Sequence, residues 1–241
     1  MNWRSVFGGG PGEPMRRRVA RRSGAVATMT GKTVRAEQVS ATRELILAAA
    51  ERLFAEHGVF AVSNRQVSEA AGQGNNTAVG YHFGTKADLV RAIARKHAEQ
   101  IERLRLRMVA EIEPADVRDW VSCLVRPVTD HLAALGSPTW FARFGAQVMT
   151  DPALREIMVE ESLTSPSLQQ IIDGLNRCLP SLPAEVRAER EDMARQLMVH
   201  MCAERERALA DDTPTPRSSW HGAANGLIDA LVGLWLAPVV S

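Results

Sequence analysis

Between Ala71 and Lys86 the chain reads AGQGNNTAVGYHFGTK, a run of glycines, carboxamides, hydroxyls, one imidazole and one amine. Groups of these types at such close spacing suit two kinds of chemistry. Backbone amides bared by glycine, with a lysine beside them, can cradle the phosphates of a nucleotide. Asn and Thr on the first turn of a short helix can instead pair with base edges in the major groove of DNA. A phosphate loop requires G-x-x-x-x-G-K-[ST] after a strand, whereas Gly84-Thr85-Lys86 carries its residues in the wrong order and no strand-like segment precedes it. The dinucleotide pattern G-x-G-x-x-G fails as well, because Gly72-Gln73-Gly74 is followed by Asn75, Asn76 and Thr77. That leaves DNA. No other constellation competes: His57, His82, His97, His131, His200 and His221 show no H-E-x-x-H spacing, no G-x-S-x-G occurs, and no paired carboxylates stand out. The expectation is therefore no catalysis, no cofactor and no metal.

The elements that must position this stretch read as helices on both sides. From Thr42 onward Ile46, Ala49, Ala50, Leu53 and Phe54 recur at steps of three and four and share one face, and Gly58 after His57 is a natural stop. Ser63 and Gln66 form an S-x-x-Q capping box that opens a short helix at Asn64, with Val67, Ala70 and Ala71 turned inward and Gly72 at its end. A second short helix is expected to begin near Asn75 as its N-cap. That start puts Asn76 and Thr77 on the first turn and Tyr81 and His82 one turn on, with Val79 or Phe83 packed inward. Thr85 and Asp88 start a long helix reaching about Glu111, along which Val90, Ala94, His97, Ile101, Leu104 and Met108 share a face. Short helix, Gly-containing turn, short helix is a helix-turn-helix, whose second helix shows its first residues to the bases.

Taken in order, ILAAAERLFAEHG, SNRQVSEAAG and AVGYHFGTKADL, within Leu45 through Leu89, resemble the DNA-binding domain of the TetR family of bacterial transcriptional regulators. The resemblance implies a homodimer whose recognition helices read a palindromic operator in double-stranded DNA, and a C-terminal domain where a small ligand shifts the spacing of the heads. Repression is the family default; activation would use the same contacts. By position, the resemblance implies backbone contacts from Asn64 and Arg65, base contacts from Asn76 and Thr77 near Asn75, and phosphate contacts from His82 and Lys86, with Tyr81 in reach of phosphate or base. The plainer readings are a solvated charge for Arg65, a packing histidine for His82 and a surface charge for Lys86. Two features depart from the family pattern: a turn after Gly72 that is longer by one residue, and Gly80 where many relatives carry a tyrosine on phosphate. Gly80 also lowers helix propensity by up to about 1 kcal/mol relative to Ala. These departures support the alternative of a helical dimer that binds ligand or protein and has lost its DNA affinity.

Beyond Glu111, Ser137-Pro138, Asp151-Pro152 and Ser165-Pro166 each pair a cap residue with Pro at the first helical position, and Pro183 opens a further helix. No alternating β run appears, so the expected fold class is all-α. Residues 1–40 are expected to form an unstructured basic arm, 41–90 the helix-turn-helix, and 91–241 a helical effector-binding and dimerisation domain. In the arm, Arg16, Arg17, Arg18, Arg21 and Arg22 could track phosphates or simply be solvated, and Met15 or Met29 could be the true start. A net charge of +1 over 241 residues names no partner. Cys123, Cys178 and Cys202 have no C-x-x-C spacing and read as buried thiols in a reducing cytosol. The most apolar stretch, Gly226 to Val240, is too short to cross a bilayer and contains Asp229, so no membrane partner is expected.

Aromatic residues are only 5% of the chain, yet Trp120, Trp140, Phe141 and Phe144 gather with His131, Met149, Met158 and Cys123. Such a set is ordinary core, or else the pocket of a small apolar or aromatic effector. The last helix aligns Ala224, Leu227, Ile228, Leu231, Leu234 and Trp235. That stripe is to be buried in the core or, together with the helix from Glu185 to Leu209, in a four-helix dimer interface.

Overall fold

The structure, a computed structural model, describes residues 23–75, 77–112 and 116–239, with side chains described from Val34 onward except that of Leu163. Every regular element among the described residues is a helix. In order they are α1 (Ser23–His57), α2 (Asn64–Ala70), α3 (Ala78–Phe83), α4 (Lys86–Ala110), α5 (Val117–Leu135), α6 (Phe141–Thr150), α7 (Pro152–Leu163), α8 (Pro166–Cys178), α9 (Ala184–Ala210) and α10 (Trp220–Leu236). Thr42–Ser241 is one compact unit. The expected unstructured arm needs correction over residues 23–40, because α1 is already helical at Ser23. No apolar period is required there: a helix with a nucleus propagates at low cost through residues such as Arg35, Ala36, Glu37 and Gln38. The arm's Arg16, Arg17, Arg18, Arg21 and Arg22 lie outside the described residues.

The first four helices end where local chemistry ends them. Ser63 accepts from the Gln66 amide while the Gln66 side chain accepts from the Ser63 amide, and Thr85 and Asp88 repeat this reciprocal cap at α4. Gly72 and Gly84 stand at φ +67° and +84°, the left-handed region that lets the chain leave α2 and α3 without a Cβ clash. From α1, Ile46, Ala50 and Phe54 are buried against Val67, Val79, Leu89 and Ile93. Full burial of each large apolar side chain among them contributes about 1.5–3 kcal/mol.

In the rest of the unit α5 lies centrally, touching α4, α8 and α10, while α6 packs along α9 and α7 along α4. Phe54 of α1 stacks on Phe144 of α6 at 6.4 Å between ring centres, so helix-turn-helix and body share core. Pro152 and Pro166 open α7 and α8 with Asp151 and Ser165 as caps. Ser137-Pro138 opens no helix; α6 starts at Phe141, and its N-terminal amides are closed by Glu206 reaching over from α9. The α10 stripe also needs correction. Leu227, Ile228, Leu231 and Trp235 are buried inside the protomer and Leu234 packs partly against the same core, because the apolar face of α5 lies along α10. These side chains are therefore not free to meet a second copy.

Candidate nucleic-acid interface and body cavity

The turn between α2 and α3 is organised by one carboxamide. Asn75 Oδ1 accepts from the Thr77 amide at 2.9 Å and from the Thr77 hydroxyl at 2.7 Å, while the Asn75 carbonyl accepts from the Ala78 amide at 3.0 Å. Asn side chains compete with helix hydrogen bonds in this way, and the competition delays the helix. Consequently α3 begins at Ala78 with Thr77 as its N-cap, later than the start expected at Asn75. Asn76 lies outside the described residues. From Thr77 the faces separate: Ala78 and Val79 are buried, whereas Thr77, Gly80 and Tyr81 are exposed, Tyr81 by 80%. A Cβ at Gly80 would have no neighbour within 4 Å, so bare backbone forms the middle of the outward face.

The C-terminal turn of α3 is pinned from α1. The Arg43 guanidinium donates to the His82 carbonyl and lies 4.2 Å from the centre of the Phe83 ring. The His82 ring meets Tyr81 edge-on at 4.9 Å and is half-buried, combining the packing and surface readings. On α2, Arg65 is exposed but donates through Nε to Glu69 at 2.8 Å, and that bond, then the carboxylate charge, raises its pKa further. Asn64 is partly buried, with Oδ1 unpartnered. Lys86 departs most from expectation: its Nζ donates to the carbonyls of Val59 and Val62 at 3.0 and 2.6 Å, closing the loop between α1 and α2. Partial burial lowers its pKa, and at most one of its donors is left for a phosphate.

Among the cavities of the body, two adjoin each other. One, of about 230 Å³, is lined by Ile101, Leu132, Phe141 and Met198 among others, and the second, of about 460 Å³, by Leu124, Ile171, Leu175 and Trp235 among others. Arg105, Gly145, Met158, Ser162, Leu168, Met198 and Val199 belong to both walls. Of the residues expected to form a pocket, Phe141, Met149 and Met158 do so, whereas Trp120, His131, Trp140 and Phe144 do not. Trp120 covers Gly174, where an added Cβ would come within 2.2 Å of its ring, Phe144 stacks on Phe54, and Trp140 packs partly buried at the start of α6. Arg105 was hidden in the sequence. Leu104, at three residues from Ile101, is only half-buried, and Arg105, at four, takes the inward position.

Between chamber and helix-turn-helix lies a buried polar chain. His97 of α4 bonds through Nε2 to Glu51 of α1 at 2.9 Å and through Nδ1 to His131 of α5 at 2.8 Å, and its ring stacks on Phe141 at 3.8 Å. Burial first, and the neighbouring His97 second, push the His131 pKa down to about 4 against the opposing pull of Glu51. His131 is thus neutral near pH 7. Of the three thiols expected to be buried, Cys178 is instead exposed, near the end of α8, while burial raises Cys123 to about 11 and Cys202 to about 12, which keeps both protonated.

A short capped helix, a tight turn and a second helix with an exposed polar face, carried on an all-helical body, are the architecture of a DNA-binding regulator. Residues 46–93 match the model of the bacterial regulatory proteins, tetR family, and residues 122–233 that of the tetracyclin repressor-like C-terminal domain. Together the two segments take in more than half of the chain, which belongs to the TetR family of transcriptional regulators. Two solved structures have the same fold. A TetR family transcription regulator from Marinobacter aquaeolei VT8 is 16% identical at a TM-score of 0.55, over 80% of this chain and 97% of that one. AmtR from Mycobacterium smegmatis is 22% identical at a TM-score of 0.54, over 78% of this chain and 85% of that one. A comparison with curated proteins found no match. No described helix is long and apolar enough to cross a membrane.

Proposed function

We propose that this regulator acts as a homodimer on a palindromic operator in the bacterial cytoplasm, as a repressor, and releases the DNA when a small ligand fills the body. The observation that carries the reading is the outward face of α3, where Thr77, Gly80 and Tyr81 stand exposed beside Asn75, with open space above Gly80. Thr77 faces base edges, and Gly80 lets the backbone approach the duplex closely. Tyr81, His82 and Arg65 take phosphates, and Lys86 contributes chiefly by holding the α1–α2 loop. The second copy docks on the outward side of α9 and α10, where Met193, Met201 and Leu236 are exposed. The two α3 helices must then lie about 34–36 Å apart, or near a multiple of that distance, to enter successive major grooves on one face.

Release is mediated by Phe141, which belongs to the chamber wall and stacks on the histidine that holds Glu51 of α1. A ligand acts only to the extent that it prefers the body conformation with the wrong head spacing. Selection of random duplex DNA by the purified protein, at two salt concentrations and with Thr77→Ala alongside, tests the DNA reading. The expected result is a palindrome that the substitution blurs at one or two positions per half-site. Enrichment of nothing, with only weak salt-sensitive binding, would replace it by a helical ligand-binding dimer without DNA affinity.

A further inference from the structure

The two chambers have a chemical asymmetry that narrows the ligand class, given the reading of the body as a ligand site. We propose that the occupant is an amphiphilic monocarboxylate, with an apolar chain or ring against the Leu, Ile and Met walls and its carboxylate on Arg105.

Arg105 of α4 is 8% exposed and belongs to the walls of both chambers. A guanidinium is permanently charged, and its planar fork suits two parallel bonds to one carboxylate. No such partner is present. The acid beside it, Glu102, is 3.6 Å away and already accepts from the Ser165 hydroxyl and from the Ser167 amide and hydroxyl at 3.1 and 2.7 Å. Glu102 thereby closes the N-terminus of α8, and the partial positive charge of that helix end balances its own. Burial alone would raise the Glu102 pKa, but these hydrogen bonds outweigh it and the result is lowered, so Glu102 stays ionised. Arg105 is left with a 3.4 Å contact from Nη1 to Ser165, and its buried Nε has no acceptor.

A second wall residue of the larger chamber tells the same story. Trp235 is 5% exposed and its Nε1 also has no acceptor. Both unmatched buried groups on this wall are donors. The buried guanidinium charge on this wall favours an occupant that brings acceptors, which argues against an amine and against a hydrocarbon without a polar head. Most of the remaining wall, with Leu124, Ile171, Leu175 and Val199, is apolar, so the acceptors sit on a largely hydrophobic body. A volume of about 460 Å³ lies within the usual range of about 300–1,000 Å³ for small-molecule sites. Asn176 and Glu191 are exposed members of the same wall and mark where it opens between α8 and α9.

The test uses the full-length protein, with dodecanoate and 2-naphthoate as probes, each compared with its methyl ester below any micelle concentration. Calorimetry at neutral pH is expected to find at least one acid bound tenfold or more tighter than its ester. The acid's affinity should fall by a similar factor in Arg105→Met, which keeps the apolar stem. Acid and ester binding equally, or neither acid binding, would overturn the proposal. The comparison of acid with ester needs no variant, so it decides even where Arg105→Met does not fold. Adding the bound acid to a complex with the selected operator separates this inference from the functional reading. Binding without release leaves the carboxylate site standing and removes ligand-driven release; release by the ester as readily as by the acid does the reverse.

Discussion

The helix-turn-helix closes its helix N-termini with neighbours in sequence, whereas the body, besides local caps such as those at α5, α7 and α10, also closes helix ends with residues tens of positions away. At α2 and α4 the caps are Ser63 with Gln66 and Thr85 with Asp88, each pair within one turn. At α6 the cap is Glu206 from α9, at α8 it is joined by Glu102 from α4, and the carbonyls at the end of α10 are taken by Arg190 of α9 at 2.7 and 2.8 Å. A local cap survives if neighbouring helices shift. A cap borrowed from another helix moves with its donor, so a shift of α4 or α9 is carried to the ends of α6, α8 and α10. For the release proposed above, in which the body repositions the head, this is the useful division.

The sharpest way to break the contrast is to remove one cap of each kind. Glu206 is 2% exposed and accepts from the Thr139 hydroxyl, two backbone amides and Arg143. Glu206→Ala leaves the Arg143 charge and the α6 amides without a partner in the interior, and we expect a loss of about 3–5 kcal/mol in urea unfolding. Ser63→Ala should cost only about 1 kcal/mol, the usual value of an N-cap. Equal losses would show that the borrowed cap is no more than a local one.

The next effect is one of pH, and it concerns the junction between the two regions. His131 faces His97 of α4, with Glu51 of α1 beyond it. Its folded pKa of about 4 lies below the unfolded value near 6.5, so the neutral form is the one the fold favours. Its contribution is full above about pH 6.5 and is lost as pH falls toward 4, because the unfolded chain takes up a proton that the folded chain refuses. The shift corresponds to at most about 3 kcal/mol. Stability of His131→Gln should therefore decline less steeply than that of the unaltered protein between pH 6.5 and 4. Parallel curves would assign the acid sensitivity to other groups.

Lys86 tests the contrast from within the helix-turn-helix, since it is, like Arg43 on the His82 carbonyl, a long-range closure there. Lys86→Met removes the donors from the Val59 and Val62 carbonyls and should cost about 1–3 kcal/mol of stability. The salt dependence of DNA binding should change by less than the one unit expected of a full phosphate contact. A full unit of slope with unchanged stability would restore the phosphate role and remove the structural one.

These examples also show what could be read in the sequence. Capping boxes, Gly58, Gly72 and the i, i+3, i+4 stripe of α1 are short-range signals, and they placed the end of α1, the starts of α2 and α4 and the turn between α2 and α3, but not the start of α1 at Ser23. The start of α3 was misplaced because Asn75 can cap either a helix or a turn, and only the bonds to Thr77 decide which. The body wall was legible in part: Phe141, Met149 and Met158 line it, but aromatic type alone does not separate wall from core, as Trp120 and Phe144 demonstrate. Arg105 and Glu206 were invisible, because a charged residue on an amphipathic helix looks solvated until the partner helix is in place. The α10 stripe was correctly apolar, but its partner, α5 and not a second copy, is a tertiary fact.

Gly80 gives the smallest expected effect and the most discriminating one for the reading head. Its backbone is helical and a Cβ there meets nothing within 4 Å, so Gly80→Ala adds propensity without a clash and should stabilise the protein by about 0.5–1 kcal/mol. The same methyl stands on the face between Thr77 and Tyr81, where the backbone would come nearest the duplex. If α3 docks closely, the more stable variant binds the selected operator more weakly, with the loss appearing alike at high and low salt because no charge is removed. If α3 stands off from the groove, stability and affinity rise together or affinity stays unchanged. Opposite signs for stability and binding would make Gly80 a residue kept for approach to DNA against the interest of the helix that carries it.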